Sequence, residues 1–199
     1  MKVLKFGGGC LKGANSIKKL PLIIQYYHDN QTLVVLSAFG KITNMLEQEN
    51  YDDVINFLKD IMSDLGFSSR EIETLIAKYF GLQLSQTKSL SYPERVCVGE
   101  YISSEIVHRY LNHNKINSLF LDAALCIWTH PWEMKSRASR FHSAVLPDKY
   151  SNLQEKNNII ITQGFISSDI TSMKTKSNLI RTTLGREGSD YSAAIFGRL

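Results

Sequence analysis

The sequence predicts an α/β domain with a largely parallel sheet. Short, unbroken apolar runs alternate with segments of helical periodicity, and several of these runs end in turns rich in glycine or serine. Continuous apolar runs are typical of strands covered on both faces, and their alternation with helices makes neighbouring strands parallel. Because ligands of such sheets bind beyond the carboxyl ends of the strands, we look for function at those ends.

The first part of the chain predicts two strands and the helices around them. The run KVLKF (Lys2–Phe6) stops at three glycines, and the run TLVVL (32–36) stops at a serine-containing turn. Between them, a short helix is predicted around residues 15–19 and a second one from Pro21, since proline is tolerated in the first turn of a helix. A further helix opens at residues 41–44.

The middle of the chain is predicted to be helical. Apolar residues recur at helical spacing over residues 54–65, and the pattern stops at a glycine. Ser68 and Glu71 form a capping box for the next helix. A third helix is predicted to begin near Pro93 and to continue through Leu111.

The rest of the chain predicts two more buried strands, SLFL and IIIT, with less regular segments around them. In order, we expect a strand at Ser118–Leu121, a loop-rich stretch with Trp128, Pro131 and Trp132, a helix near 148–156, a strand at 159–162, a mobile loop or hairpin over 167–181 and a helix from Tyr191.

The composition excludes several classes of protein. With 199 residues, 43% of them hydrophobic and 21% charged, the chain resembles an ordinary globular domain. A net charge of +4 is too weak to indicate a nucleic-acid partner, and no apolar run approaches the length of a membrane span. Cys10, Cys97 and Cys126 follow no disulfide or zinc pattern, which favours reduced thiols in the cytoplasm.

The glycines after the first run are the first candidate site. Backbone N–H groups of Gly7 and Gly8 could approach a phosphate closely, and the Lys5 ammonium could neutralise charge that develops during transfer. A tight turn beside a surface lysine explains the same residues.

Three further residues also allow two interpretations each. The hydroxyls of Ser37 and Thr43 could bind a carboxylate or phosphate, but such hydroxyls also cap helices. Glu100 stands among apolar helix positions, where a buried carboxylate needs a cation. It could hold a ligand ammonium group, or it could lie at the surface in an ordinary ion pair.

The stretch TTLGREGSDYSAA (182–194) is more specific, because it places three polar residues between glycines at the start of a predicted helix. Arg186 is suited to bidentate binding of a carboxylate, and Ser189 and Asp190 stand where helix N–H groups favour anions. Capping of the helix by Asp190 is the alternative.

These motifs, taken in order, resemble the aspartate kinases of the amino acid kinase family. The resemblance covers the whole chain and rests on KFGG (5–8), VVLSAFGKITN (34–44), VGEYISS (98–104), ITQGFI (161–166) and the stretch 182–194. It implies a three-layer α/β sandwich of the amino acid kinase or carbamate kinase-like type. It also implies a cytoplasmic enzyme that transfers the γ-phosphoryl group of ATP to the side-chain carboxylate of L-aspartate, the first step towards lysine, threonine and methionine.

The resemblance also implies roles for individual residues. Such a kinase must hold two anions in line and stabilise the transferring group, and Mg²⁺ would be needed to bridge the ATP phosphates. By motif, the catalytic residues are Lys5 and Asp190, the phosphate-binding residues are Gly7 and Gly8, and the aspartate pocket comprises Ser37, Thr43, Glu100, Phe165, Arg186 and Ser189. Within that pocket, Arg186 holds the α-carboxylate and Glu100 holds the ammonium group.

The sequence departs from the family pattern in three places. Gly9-Cys10 replaces Thr-Ser after the glycines, Glu187 replaces a glycine, and the segment 167–181 is longer than usual. These changes leave open a non-catalytic amino-acid-binding or regulatory module of the same fold.

The resemblance further implies that residues 1–199 are the amino-terminal, aspartate-binding part of a catalytic domain. The nucleotide-binding part and the regulatory ACT domains are expected outside it, so the fragment is expected to lack turnover. The full-length protein is expected to form a homo-oligomer.

Overall fold

The computed structural model describes residues 1–27, 31–85, 90–131, 141–147, 158–173, 179–185 and 187–199. The central sheet has four strands, namely β1 (Lys2–Phe6), β2 (Gln31–Leu36), β3 (Ser118–Leu121) and β6 (Asn158–Gln163). Their order across the sheet is β1-β2-β6-β3, and all neighbouring strands are parallel. The predicted α/β fold with a largely parallel sheet is therefore confirmed.

Helices accompany the central sheet along the chain. Their bounds are α1 (Ala14–Ile17), α2 (Leu20–Tyr27), α3 (Ile42–Glu47), α4 (Tyr51–Asp64), α5 (Ser69–Ser85), α6 (Tyr92–His113), α7 (Ile170–Met173) and α8 (Gly188–Arg198). The capping box before α5 is formed as predicted, because Ser68 N–H donates to Glu71 Oε2 at 2.9 Å and Glu71 N–H donates to Ser68 Oγ at 3.4 Å. A second capping box, of Ser91 and Glu94, begins α6.

The sheet is the middle of three layers. Along β2, every residue is buried, and successive side chains point to opposite faces. Val34 and Leu36 pack in the core formed with α1 to α6, whereas Leu33 and Val35 pack in a second core that includes Phe196 of α8. Burial on both faces explains why the sequence of this strand contains a continuous apolar run.

A second, smaller sheet was not predicted. Its strands β5 (Phe141–Ala144), β4 (Ile127–Thr129), β7 (Ile166–Asp169) and β8 (Arg181–Thr183) are neighbours in that order. The stretch around Trp128 was predicted to be loop-rich, and this is wrong for β4 and β5. Strands β4 and β8 have only three residues, and β5 and β7, with the sequences FHSA and ISSD, lack the continuous apolar run that identified β3.

The segment 167–181, predicted to be a mobile loop or a hairpin, begins and ends in two strands that pair as in a hairpin. β7 and β8 pair antiparallel, with Ile166 opposite Thr183, and α7 follows β7 directly. Residues 132, 148–157 and 174–178 lie outside the described residues, and so does the helix predicted near 148–156.

Helix α6 packs closely on α3 at Gly99, and this contact can be tested by mutation. A β-carbon at Gly99 would lie 2.8 Å from Ile42 Cγ2 and 3.3 Å from Ala38 Cβ. We therefore expect Gly99→Ala to lower the free energy of unfolding by about 1–2 kcal/mol, despite the better helix propensity of alanine. Urea denaturation would measure this change.

The matched control is Gly81→Ala in α5, where an added β-carbon meets no described residue within 4 Å. Here the propensity gain acts alone, so the free energy of unfolding should rise by about 0.5–1 kcal/mol. Equal stabilisation by both substitutions would show that α6 and α3 are packed more loosely than the structure has them.

Candidate active site

The strands β1, β2 and β6 end at the same edge of the central sheet. Ser37 N–H donates to the Phe6 carbonyl at 3.0 Å, and Gly164 N–H donates to the Leu36 carbonyl at 2.8 Å. A cleft of about 440 Å³, which we call the sheet-edge cleft, opens at this edge. It is lined by Lys5, Gly7, Gly8, Gly9, Ser37, Ala38, Gly40, Thr43, Asn44, Glu47, Tyr92, Glu100, Phe165, Glu187, Gly188, Ser189 and Asp190.

The structure brings together every predicted site residue that it describes. These residues come from segments far apart in sequence, namely the ends of three strands, the first turn of α3, the middle of α6 and the start of α8. Arg186, predicted to hold a carboxylate, lies outside the described residues.

The glycine turn after β1 packs directly against the turn after β2. A β-carbon at Gly8 would lie 2.8 Å from the Ala38 carbonyl oxygen and 2.9 Å from that of Gly40, so no side chain fits there. At Gly9, by contrast, an added β-carbon meets nothing within 4 Å among the residues that the structure describes. The turn is therefore tight, and its backbone faces the cleft.

Lys5 is not an isolated surface lysine. Its Nζ lies 2.7 Å from Oδ1 of Asp190, which links β1 to the first turn of α8. The Asp190 side chain is 68% exposed, so the pair adds little stability and acts mainly to orient the ammonium group. The alternative that Asp190 caps α8 is wrong, because Glu187 occupies the N-cap position.

Ser37 and Thr43 lie on one wall of the cleft. The alternative that Ser37 caps a helix is wrong, because α3 begins at Ile42 and Lys41 occupies its N-cap position. Ser37 belongs instead to the turn that follows β2, and Thr43 lies in the first turn of α3. Both residues line the cleft and are partly accessible.

Glu100, in the middle of α6, is a buried carboxyl group that lines the cleft beside the turn after β2. Only 4% of the residue is exposed, so the alternative of a surface ion pair is wrong. Burial raises the pKa of Glu100 to about 8, although the Ala38 N–H and the charge of Lys5 act in the opposite direction. Its Oε2 is buried and has no hydrogen-bond partner within the described part of the chain.

Phe165 and Ser189 meet where β6 ends against α8. The backbones are so close that a β-carbon on Gly164 would lie 2.5 Å from Ser189 Oγ. Phe165 has a φ of 67°, in the left-handed region that favours glycine, and its N–H donates to Ser192 Oγ at 3.0 Å. The turn after β6 is therefore fixed to the helix that carries Ser189 and Asp190.

Some residues of the cleft were missed from the sequence. Asn44, Glu47 and Tyr92 line it, and the Tyr92 hydroxyl donates to Glu47 Oε1 at 2.6 Å. Thr43 and Glu47 are four positions apart and therefore lie on one face of α3, so the sequence could have indicated Glu47 as a cleft residue. Tyr92 lies in a different helix, and no local pattern connects it to the cleft.

The arrangement defines an α/β protein with a small polar cleft at the carboxyl edge of its parallel sheet. The cleft offers an ammonium group, backbone N–H groups, hydroxyls and a buried carboxyl group, which together suit a small ligand bearing both charges. The chain belongs to the amino acid kinase family, whose model matches residues 1–199.

Solved structures with the same fold include aspartate kinases. The chain is similar to E. coli aspartokinase III in complex with aspartate and ADP, with 26% identity and a TM-score of 0.77 over 99% of this chain and 46% of that one. The aspartate kinase of Clostridium acetobutylicum shares the fold, with 24% identity and a TM-score of 0.70 over 99% of this chain and 44% of that one.

Curated relatives are also aspartokinases. The chain is 28% identical to aspartokinase of Chlamydia trachomatis over 99% of its own length and 46% of the relative's. It is 28% identical to the bifunctional aspartokinase/homoserine dehydrogenase 2 of Arabidopsis thaliana, over 99% of its own length and 23% of the relative's. The chain thus spans less than half the length of these relatives.

The buried carboxyl group of Glu100 predicts a pH dependence of stability. The unfolded chain loses this proton near the ordinary value of 4.5, whereas the folded chain keeps it up to about pH 8. The contribution of Glu100 to stability therefore falls as the pH rises through this window, by up to about 1.4 kcal/mol per pH unit. Glu100→Gln should lack this component when urea unfolding is measured across the window.

Glu105→Gln, on the same helix, is the control for this measurement. Burial alone would raise the pKa of Glu105, but hydrogen bonds from Lys78, Tyr79 and Arg109 outweigh it, and the pKa is lowered. Its contribution is lost as the pH falls, which is the opposite sign. A pH slope in Glu100→Gln equal to that of the unsubstituted chain would contradict the prediction.

The left-handed backbone conformation of Glu187 predicts that glycine at this position would stabilise the protein. Its φ is 60°, in the left-handed region, where a residue with a side chain costs about 1 kcal/mol relative to glycine. Its side chain is exposed, so little contact is lost on removal. We expect Glu187→Gly to raise the melting temperature, whereas the same change at the exposed helical residue Glu73 should lower it. Destabilisation at both positions would show that the Glu187 side chain has a favourable role.

Proposed function

We propose that the chain is the aspartate-binding part of an aspartate kinase. The full-length enzyme would transfer the γ-phosphoryl group of ATP to the side-chain carboxylate of L-aspartate, giving 4-phospho-L-aspartate in the biosynthesis of lysine, threonine and methionine. The observation that carries the proposal is the buried, incompletely bonded carboxyl group of Glu100 in a cleft that also contains Lys5. The similarity to aspartokinases supports the same substrate.

Glu100 is suited to hold the ammonium group of the substrate. A buried carboxylate is costly unless a cation pairs with it, and an amino-acid ligand brings that cation into the cleft. The ammonium group would donate to Oε2, the oxygen without a partner in the described residues. The same contact would favour the ionised form of Glu100, so binding near neutral pH releases a proton.

Lys5 and the glycine turn are suited to the phosphoryl group. A carboxylate nucleophile is already ionised at neutral pH, so the reaction depends on position and charge more than on proton transfer. Asp190 orients the Lys5 ammonium, which would stabilise charge on the transferring group beside the N–H groups of Gly7 and Gly8. These residues act in the proposal as catalytic and phosphate-binding groups.

The remaining predicted residues would complete the aspartate pocket. From the sequence motif, Arg186 would bind the α-carboxylate, so that the two charges of the amino acid meet partners of opposite sign. Hydroxyl groups and one aromatic ring would line the rest of the pocket, namely Ser37, Thr43, Phe165 and Ser189.

ATP is proposed to bind largely to protein outside these 199 residues, because the relatives are more than twice as long. The tight glycine turn fits a phosphate, since Gly8 has no room for a side chain and its backbone lies at the cleft. Mg²⁺ would be held by the phosphates, and the described residues contain no group of three side chains that could ligate a metal. Because most of the nucleotide site would lie outside these 199 residues, the chain alone should show no turnover.

The proposal includes a cytoplasmic, homo-oligomeric full-length enzyme. No helix in the described ranges has both the length and the apolar character needed to cross a bilayer.

The Lys5–Asp190 contact of 2.7 Å argues against a purely binding module of the same fold, because amino-acid binding alone does not require an oriented ammonium group there.

Calorimetric titration with L-aspartate and with succinate tests the proposal. Succinate carries the same two carboxylates without the ammonium group, so it should bind at least about tenfold more weakly than L-aspartate. Glu100→Gln should weaken aspartate binding by about tenfold and leave succinate binding nearly unchanged, since only aspartate uses this contact. Arg186→Ala should weaken the binding of both ligands.

Glu105→Gln provides the control, because Glu105 lies on the same helix but is bonded to Lys78, Tyr79 and Arg109. It should bind aspartate like the unsubstituted chain. Equal affinities for aspartate and succinate, or no binding by a chain shown to be folded, would contradict a complete aspartate pocket in these residues. Tight binding of ATP with Mg²⁺ would contradict a nucleotide site outside them.

A further inference from the structure

Ser192 lies behind the sheet-edge cleft rather than in it, and its side chain is fully buried in the second turn of α8. Its Oγ accepts a hydrogen bond from Phe165 N–H at 3.0 Å and donates one to the Gly188 carbonyl at 3.0 Å. The second bond is local to the helix, but the first reaches across 27 positions of sequence. One hydroxyl therefore joins the turn after β6 to the start of α8.

The two segments that Ser192 joins carry residues of the proposed site. Phe165 follows β6, and Ser189 and Asp190 lie in the first turn of α8. A β-carbon added to Gly188 would lie 3.2 Å from Phe165 Cα, so the segments touch backbone to backbone. A displacement of α8 along this contact would carry Asp190 away from Lys5, its partner at 2.7 Å.

We propose that Ser192 is a positioning residue of the sheet-edge cleft. Its hydroxyl holds the turn at Phe165 against α8 and thereby sets the places of Ser189 and Asp190. Phe165 has a left-handed φ of 67°, which a residue with a side chain keeps only when its surroundings hold it there. The inference deepens the proposed function and rests on it for the identity of the ligand.

The first test is amide hydrogen exchange in the ligand-free chain, which does not depend on any substrate. Ser192→Ala removes the acceptor of the Phe165 N–H, so this amide should exchange about tenfold faster. Ser192→Thr keeps the hydroxyl and should keep the slow exchange. The matched control is Ser168→Ala in β7, which removes a fully buried hydroxyl that donates to the Ala124 carbonyl.

Ser168→Ala should leave the exchange at Phe165 unchanged, even if it lowers overall stability as much as Ser192→Ala does. Faster exchange at Phe165 in Ser192→Ala alone supports the proposal. Unchanged exchange at Phe165 in Ser192→Ala overturns it, and so does an equal acceleration in both alanine variants.

The second test is the affinity for L-aspartate, measured by calorimetry on the same variants. Ser192→Ala should bind about tenfold more weakly, whereas Ser168→Ala should stay within about twofold of the unsubstituted chain. Aspartate binding by Ser192→Ala equal to that of the unsubstituted chain overturns the proposal. If the unsubstituted chain binds no aspartate, the proposed function fails, and the exchange experiment alone decides the role of Ser192.

Discussion

The N–H groups at the carboxyl edge of the parallel sheet need hydrogen-bond acceptors, and this need organises the cleft. Beyond the last paired residues of β2 and β6, the turns leave the sheet, and a buried N–H group without a partner costs about 1–3 kcal/mol. Side chains of α6 and α8 supply the acceptors. The pairs, with the N–H donor first, are Ala38 with Glu100, Phe39 with Ser103 and Phe165 with Ser192. Both helices are thereby fixed to the strand ends by directional bonds as well as by apolar packing.

The same helices can reach these turns only because side chains are missing at the points of closest approach. Gly99 lets α6 lie against α3 and Ala38, and Gly164 lets the end of β6 touch Ser189 of α8. Gly8 in turn brings the first glycine turn onto the turn after β2. Close backbone contact and hydrogen bonding from the helices therefore act together, and the cleft is the space left between the strand ends and the two helices.

This construction explains what the sequence could predict. The four central strands were predicted because burial on both faces makes each of them a continuous apolar run. The cleft residues in the turns after β1, β2 and β6 followed from the ends of those runs, whereas those predicted on α3, α6 and α8 were identified from motifs. β4 was missed because it has only three residues, and β5 was missed because its sequence, FHSA, is not an apolar run. The burial of Glu100 stayed ambiguous because helical spacing alone does not say which neighbour covers a position. Ser103 and Ser192 were missed since their partners lie 64 and 27 positions away.

The charges in the cleft explain why a buried carboxyl group is kept there. The Lys5 ammonium is held by Asp190 at 2.7 Å, and Glu100 Oε2 has no hydrogen-bond partner within the described residues. A carboxyl group buried in this way is costly when ionised, although it also accepts the hydrogen bond from Ala38 N–H. In the proposed function, a ligand ammonium group would supply both the missing charge and the missing bond, whereas a ligand with carboxylates alone would supply neither. The strained backbone of Glu187 borders the same cleft. Departures from local preference that gather at one place are expected where a protein binds its ligand.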